Sequence, residues 1–308
     1  MDVRQLSALL AVSDHGTFSA AADALRTVQS NVSAHIARLE KELGSTLVDR
    51  GQNRLTEEGE AVARRARRIL FEFDAVKADV AALRDEVAGD VRIGLIGTTA
   101  RWIVPEVLEI MQERFPRAHL RFSEGTTGML EPQLSSGALD LAITLLPLQS
   151  ADVTTQLLFE EDMLLVVDQQ HPLAERDRIT LDELASVPLL LPPVGSSARA
   201  ELDDAAQRAG VSLRSKAEID GVRLMASLTF DGHGPAILPA TALPSDLLAH
   251  WRLVSVDGIP RRRVGLANQR RSYPSAPARA VRDVLSEVVT VGAELHPGLH
   301  APTTGETS

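Results

Sequence analysis

The chain has 308 residues and a formal net charge of −10, with 44% hydrophobic and 24% charged residues. That balance belongs to a globular protein too long for one small core, and it predicts two or three domains. No cysteine occurs, which excludes disulfides, thiolate metal sites and thiol-based redox sensing by this chain.

The opening stretch, MDVRQLSALLAVSDHG, has an apolar run but neither a basic n-region nor a cleavage motif. It reads as an amphipathic helix over 3–14, not a signal peptide. No segment approaches the roughly 18 apolar residues of a membrane span. The expectation is a cytoplasmic protein with no membrane partner.

Next comes FSAAADALRTVQSNVSAHIARLEKELG, which predicts two helices joined by a tight turn. The first, over 19–25, buries Ala21, Ala22 and Leu25. The second, over 29–43, places Val32, Ile36, Leu39 and Leu43 on one face through steps of four, three and four. Thr27 is the expected N-cap, and Gly44 stands where a left-handed residue ends a helix. Gln29, Ser30, Ser33, His35 and Arg38 are assigned to the opposite face. A short polar face on a docked helix is what a DNA major groove admits, although an ordinary amphipathic hairpin has the same pattern. His35 suits either a donor to base or phosphate or a solvated residue beside the groove. Between positions 26 and 54, Arg26, Arg38, Lys41, Arg50 and Arg54 oppose Glu40, Glu42 and Asp49, and Arg64, Arg65, Arg67 and Arg68 add a second basic patch. The acidic total therefore does not exclude nucleic acid, because distribution matters more than sum.

Leu47 and Val48, a turn at Gly51–Gln52–Asn53, and Arg54–Leu55 predict a small two-stranded wing. Arg50 and Arg54 are placed there for phosphates; a plain surface hairpin would leave them solvated. Thr56 opens a long helix with Glu57, Glu58 and Glu60 in its first turn, where the helix dipole favours negative charge. Val62, Ala66, Ile69, Phe73, Val76, Val80, Leu83 and Val87 alternate in steps of four and three. Such a seam suits a coiled-coil dimer contact better than the wider stripe of a helix lying on its own domain. A dimer would present two recognition helices to two half-sites.

Beyond 88–90 the pattern becomes α/β. Strands over 91–96, 120–123 and 141–145 alternate with helices over 103–115 and 129–136, implying a parallel sheet with right-handed crossovers. A second such unit follows, with strands over 164–167, 189–191, 216–219 and 236–238 and helical segments over 181–184, 199–209 and 222–228. A strand over 264–267 is expected to cross back, and 276–289 to form a closing helix. The expected organisation is a DNA-binding domain at 1–58, a linker helix at 59–89, one effector subdomain at 90–162 with 268–295, a second at 163–267, and a disordered tail at 296–308.

These stretches together resemble the LysR-type transcriptional regulators. The carriers are MDVRQLSALLAVSDHGTFSAAADAL, QSNVSAHIARLEKELGSTLVDR and LTEEGE, then FPRAHLRFSEGTTGMLEPQLSSGALDLAI, HPLA and GHGPAILP. Two departures stand out. The wing is about two residues short, with Val48 in place of the usual aromatic, and His233 lies between Gly232 and Gly234. The resemblance implies an α/β protein with an N-terminal winged helix-turn-helix, a dimerising linker helix and a two-subdomain effector domain like that of periplasmic binding proteins. It implies homodimers, commonly tetramers, on inverted-repeat double-stranded DNA, with RNA polymerase as a candidate partner and a small-molecule effector in the cleft. By position, Gln29, Ser30, Ser33 and Arg38 match the family's DNA-contacting stretch. Chemically, Gln29 suits adenine, Arg38 guanine or phosphate, and Ser33 either base.

Ligands of open α/β sheets bind beyond the carboxyl ends of the strands. That selects Thr98, Thr99 and Arg101 after the first strand, Thr126 and Thr127 after the second, and Thr144 at the third. In the second unit it selects Gly195, Ser196, Ser197 and Arg199. Hydroxyls and free N–H groups at helix N-termini suit a carboxylate, with Arg101 or Arg199 pairing its charge, although helix capping alone accounts for the Ser and Thr residues. His233 is first a turn residue between glycines and second a ligand contact. No zinc-protease, P-loop, nucleophile-elbow or dinucleotide signature is present. No enzyme, metal or cofactor is therefore expected, and a free-standing solute-binding module is disfavoured by the fused helix-turn-helix.

Overall fold

The computed structural model describes residues 1–84, 86–243, 250–270 and 273–302. Helices α1 (Val3–His15), α2 (Phe18–Ala24) and α3 (Gln29–Leu43) pack around Leu9, Ala21, Val32, Ile36 and Leu39. A capping box between Asp2 and Gln5 opens α1, with reciprocal bonds of 2.9 Å. The backbone N–H of Gln5 holds the Asp2 carboxyl below its usual range. Thr17 caps α2 by accepting the Ala20 N–H. Thr27 does not cap α3: the N-cap is Val28, and the Thr27 hydroxyl, one residue too early, accepts from Asn31 Nδ2 at 3.0 Å. Gly44 closes α3 at φ 69°. Leu25 and Leu43 are 39% and 42% exposed, outside the core expected to hold them.

The wing is β1 (Val48–Asp49) paired antiparallel with β2 (Arg54–Leu55). Helix α4 (Glu57–Ala82) follows, capped by Thr56. It is shorter than expected, so Leu83 and Val87 fall beyond its end. Ala63 and Ala66 enter the N-terminal core, while Ala75 and Ala78 are buried further along. Ile69, Phe73, Val76, Val80 and Leu83 stay 36–87% exposed, an apolar stripe left uncovered among the described residues.

The first α/β unit comprises β3 (Ala88–Leu95), α5 (Gly97–Arg114), β4 (Arg117–Glu124), α6 (Thr127–Ser136), β5 (Leu141–Leu145) and β6 (Val153–Glu161). The second holds β7 (Met163–Asp168), β8 (Arg178–Ile179), α7 (Leu181–Ala185), β9 (Pro188–Leu191), α8 (Ser197–Arg208), β10 (Arg214–Glu218), α9 (Val222–Phe230), β11 (Ala236–Pro239), a 3₁₀ turn (Ala240–Ala242) and β12 (Trp251–Val256). Strand β13 (Arg262–Gln269), helix α10 (Ala276–Leu295) and β14 (Leu299–His300) return to the first.

Among the described residues the sheet of each α/β unit has six strands, in the orders β14-β6-β13-β5-β3-β4 and β10-β9-β11-β7-β12-β8. Neither is wholly parallel. The βαβ strands β3, β4 and β5 run parallel, as do β9, β10 and β11. The strands that carry the chain between units, β13 and β7, enter from the other end and pair antiparallel with β5 and β11. Because β13 belongs to the first sheet, assigning 163–267 to the second subdomain overreaches. Residues 299–300 pair with β6 and are not part of a disordered tail; residues 303–308 lie outside the described residues. In the second sheet Leu165 and Val167 face one core and Val166 the other, so helices cover both faces.

Candidate DNA-reading face and effector cleft

At about 100° per residue, Ser30, Ala34, Ala37 and Lys41 lie opposite the buried Val32, Ile36 and Leu39, and all four are exposed. Arg38 lies beside them, its Nε donating to the Ala34 carbonyl at 3.2 Å. Gln29 and Ser33 sit on the flank facing the wing, where Arg50 Nη1 approaches Ser33 Oγ at 3.4 Å. His35 does not share this face. It lies about 200° round from Ser33, and its Nδ1 is buried without a partner among the described residues. Ala34 and Ala37 escaped an assignment that sought only hydrogen-bonding side chains, and Lys41 was counted only in the local charge; small residues on a helix that meets a groove permit close approach, and alanine can meet a thymine methyl. Arg54 is exposed on the wing. Part of the second basic patch is engaged internally, since Arg67 pairs with Asp14 and donates to Ser13 Oγ at 3.2 Å.

An open cavity of about 670 Å³ lies between α5 and α9, bordered by Thr241 and Ala242. Of the expected ligand residues, Thr98 and Arg101 line it. Thr99 and Thr144 are fully buried, and both hydroxyls lack partners among the described residues. Helix α5 begins without a side-chain cap. The other expected residues do not line this cavity. Thr127 Oγ1 accepts the Leu145 N–H at 3.1 Å, and Thr126 is the exposed N-cap of α6. Ser196 caps α8, with Gly195 and Ser197 beside it on the surface. Arg199 is neutralised by Asp203 at 2.9 Å and Glu218 at 3.6 Å, and also donates to the Pro192 carbonyl. His233 is exposed, and its carbonyl accepts from Lys216.

The second wall of the cavity is α9, through Arg223, Ser227, Phe230 and Asp231. Its signal was the four-residue spacing of Arg223, Ser227 and the C-cap Asp231, a polar stripe along a largely apolar helix. Arg223 pairs with Glu124 across the two units. The pair crosses Gly97 so closely that a Cβ there would stand 2.5 Å from Glu124 Oε1 and 3.0 Å from Arg223 Cδ. Thr241 donates its backbone N–H (3.0 Å) and hydroxyl (2.7 Å) to the fully buried Glu161, which also faces Arg262 at 3.2 Å. Among the described residues no cluster of His, Asp or Glu could hold a metal, and no helix is long and apolar enough to cross a membrane.

A winged helix-turn-helix joined by a long helix to a two-lobed, cleft-bearing domain defines a ligand-responsive DNA-binding regulator of transcription. Residues 3–60 match the bacterial regulatory helix-turn-helix protein model of the lysR family, and residues 84–290 match the LysR substrate binding domain. The chain belongs to the LysR family of transcriptional regulators. It is 32% identical over 294 residues to a probable hydrogen peroxide-inducible genes activator of Mycobacterium leprae, covering 92% of this chain and 93% of that protein. It is 28% identical over 300 residues to the Escherichia coli DNA-binding transcriptional dual regulator OxyR, covering 96% and 97%. Among solved structures, a full-length cysteine-to-aspartate variant of Pseudomonas aeruginosa OxyR superimposes with a TM-score of 0.77 at 23% identity, covering 100% of this chain and 99% of that one. CbnR complexed with its target DNA gives 0.65 at 23%, covering 95% and 100%. These two share the fold.

Proposed function

We propose that this regulator is controlled by a small anionic metabolite held non-covalently between α5 and α9. The carrying observation is the coincidence, in one cavity, of Thr98 and Arg101 with the start of α5, which has no side-chain cap. Free N–H groups, a helix dipole and a guanidinium together favour a carboxylate. Phe230 and Val104 offer an apolar wall for its body. The peroxide-inducible relatives do not supply the signal by analogy, because a thiol-based response requires a cysteine and this chain has none. Calorimetry of the full chain against a panel of organic acids tests the proposal. Heat from at least one acid, lost in Arg101→Gln, supports it; binding only by neutral or cationic compounds rejects it.

On the DNA side, Gln29, Ser30, Ser33 and Arg38 read bases while Arg50 and Arg54 meet phosphates, in a cytoplasmic homodimer on an inverted repeat. The exposed stripe on α4 supports dimerisation. Pairing of dimers into tetramers and contact with RNA polymerase belong to the same reading. A sequence-specific gel shift on DNA upstream of the protein's own gene, at moderate salt, tests it.

A further inference from the structure

We propose that Glu40 is the positioning residue of the DNA-reading surface: one carboxylate oxygen fixes the wing to the recognition helix, and the other aims Arg50 at Ser33. The inference rests on the assignment of Ser33 and Arg50 to that surface made above. Glu40 lies on α3, and its side chain is 16% exposed. Oε1 accepts the backbone N–H groups of Leu47 at 2.9 Å and Val48 at 3.2 Å, where the chain enters β1. Oε2 lies 3.5 Å from Arg50 Nη2. The same guanidinium reaches Ser33 Oγ through Nη1 at 3.4 Å and lies over the Phe18 ring, 5.7 Å from its centroid. Helices α2 and α3, strand β1 and the wing turn therefore converge on one acid–base pair.

A negative charge on a surface that meets phosphates opposes binding, so a glutamate here must be offset by what it organises. Its two oxygens do separable work. A neutral amide oxygen could accept the Leu47 and Val48 N–H groups, whereas holding the guanidinium over Ser33 draws on the charge. Without that charge Arg50, half exposed on a short wing, is free to leave the helix.

The test uses the full-length chain as wild type, Glu40→Gln, Arg50→Ala, Ser33→Ala and the Glu40→Gln/Arg50→Ala double variant. Each is titrated by fluorescence anisotropy with a duplex that wild type has selected from a random-sequence pool, and with poly(dI-dC). Glu40→Gln should keep the wild-type melting temperature. Its affinity for the selected duplex should fall about five- to tenfold and its affinity for poly(dI-dC) by less, because the loss of an aimed phosphate contact is partly offset on any sequence by removal of a repulsive charge. In the Arg50→Ala background the same change should cause no further loss. Three results overturn the inference: wild-type binding by Glu40→Gln where Arg50→Ala loses the selected duplex, additive losses in the double variant, or a lower melting temperature with parallel loss on both duplexes. If Arg50→Ala and Ser33→Ala both bind the selected duplex as wild type does, the reading surface itself is misassigned and the positioning role falls with it.

Discussion

The hydroxyl of Thr99 is buried and unpartnered among the described residues, a condition that costs about 1–3 kcal/mol. Thr99→Val keeps the shape and removes the unpaired group, so it should raise stability by about 1 kcal/mol in calorimetric unfolding. If the hydroxyl serves a carboxylate at the start of α5, the same variant should lose organic-acid binding. A lowered melting temperature would instead show that the hydroxyl is satisfied. On the recognition helix, Ser33→Ala and Arg38→Ala should each cost about 1–3 kcal/mol of specific DNA binding if they read bases. Arg54→Ala should weaken all sequences alike and reduce the salt slope by about one. Discrimination equal to wild type in both helix variants would refute the placement of α3 in the groove.

Helix α4 packs so tightly on the wing base that a Cβ at Gly59 would stand 2.0 Å from the Leu47 carbonyl oxygen. Gly59→Ala must separate the two, and should destabilise the N-terminal domain by about 1–3 kcal/mol in chemical denaturation; an unchanged midpoint would mean that the helix shifts freely. Further along, Phe73 is 51% exposed on the apolar stripe. Phe73→Asp should give monomers in sedimentation at concentrations where wild type associates, with helix content preserved. Elements with strong local periodicity were legible in the sequence: α3 spans the residues its apolar spacing marked, and Asn53, at φ 50°, sits in the expected wing turn. What escaped was set by distant partners. Strand β6 (VTTQLLFEE) and strand β12 (WRLVSV) carry weak alternation and acquire their strand identity from β13 and β7. The loops at strand ends led to Thr98 and Arg101, which line the cavity, but the choice of α9 over α8 as the opposing wall depends on how two units face each other, which no local pattern records.

At the scale of the molecule, α4 connects the reading face to the cleft. Asp79 accepts the Ala276 N–H at 3.0 Å and lies 3.4 Å from Arg279, so the linker helix supplies the N-terminal partner that Ser275 does not give α10. Arg92, on β3, lies over Phe71 of α4 at 5.6 Å. The first α/β unit thus meets α4 through a charged contact and an aromatic one. The absence of cysteine sets a limit on how this chain could respond to an oxidant. A peroxide response through sulfenic acid or disulfide formation needs a thiolate, and none of the 308 residues is cysteine. The remaining oxidisable sulfurs are five methionines, whose conversion to sulfoxide disrupts packing instead of forming a crosslink. Hydrogen peroxide should therefore leave the footprint of the full chain on its selected duplex unchanged for as long as mass spectrometry finds the methionines intact. A footprint that shifts under peroxide while every methionine remains unmodified would show that the cleft, or some other part of the chain, senses the oxidant without sulfur chemistry, and the non-covalent metabolite reading would lose its ground.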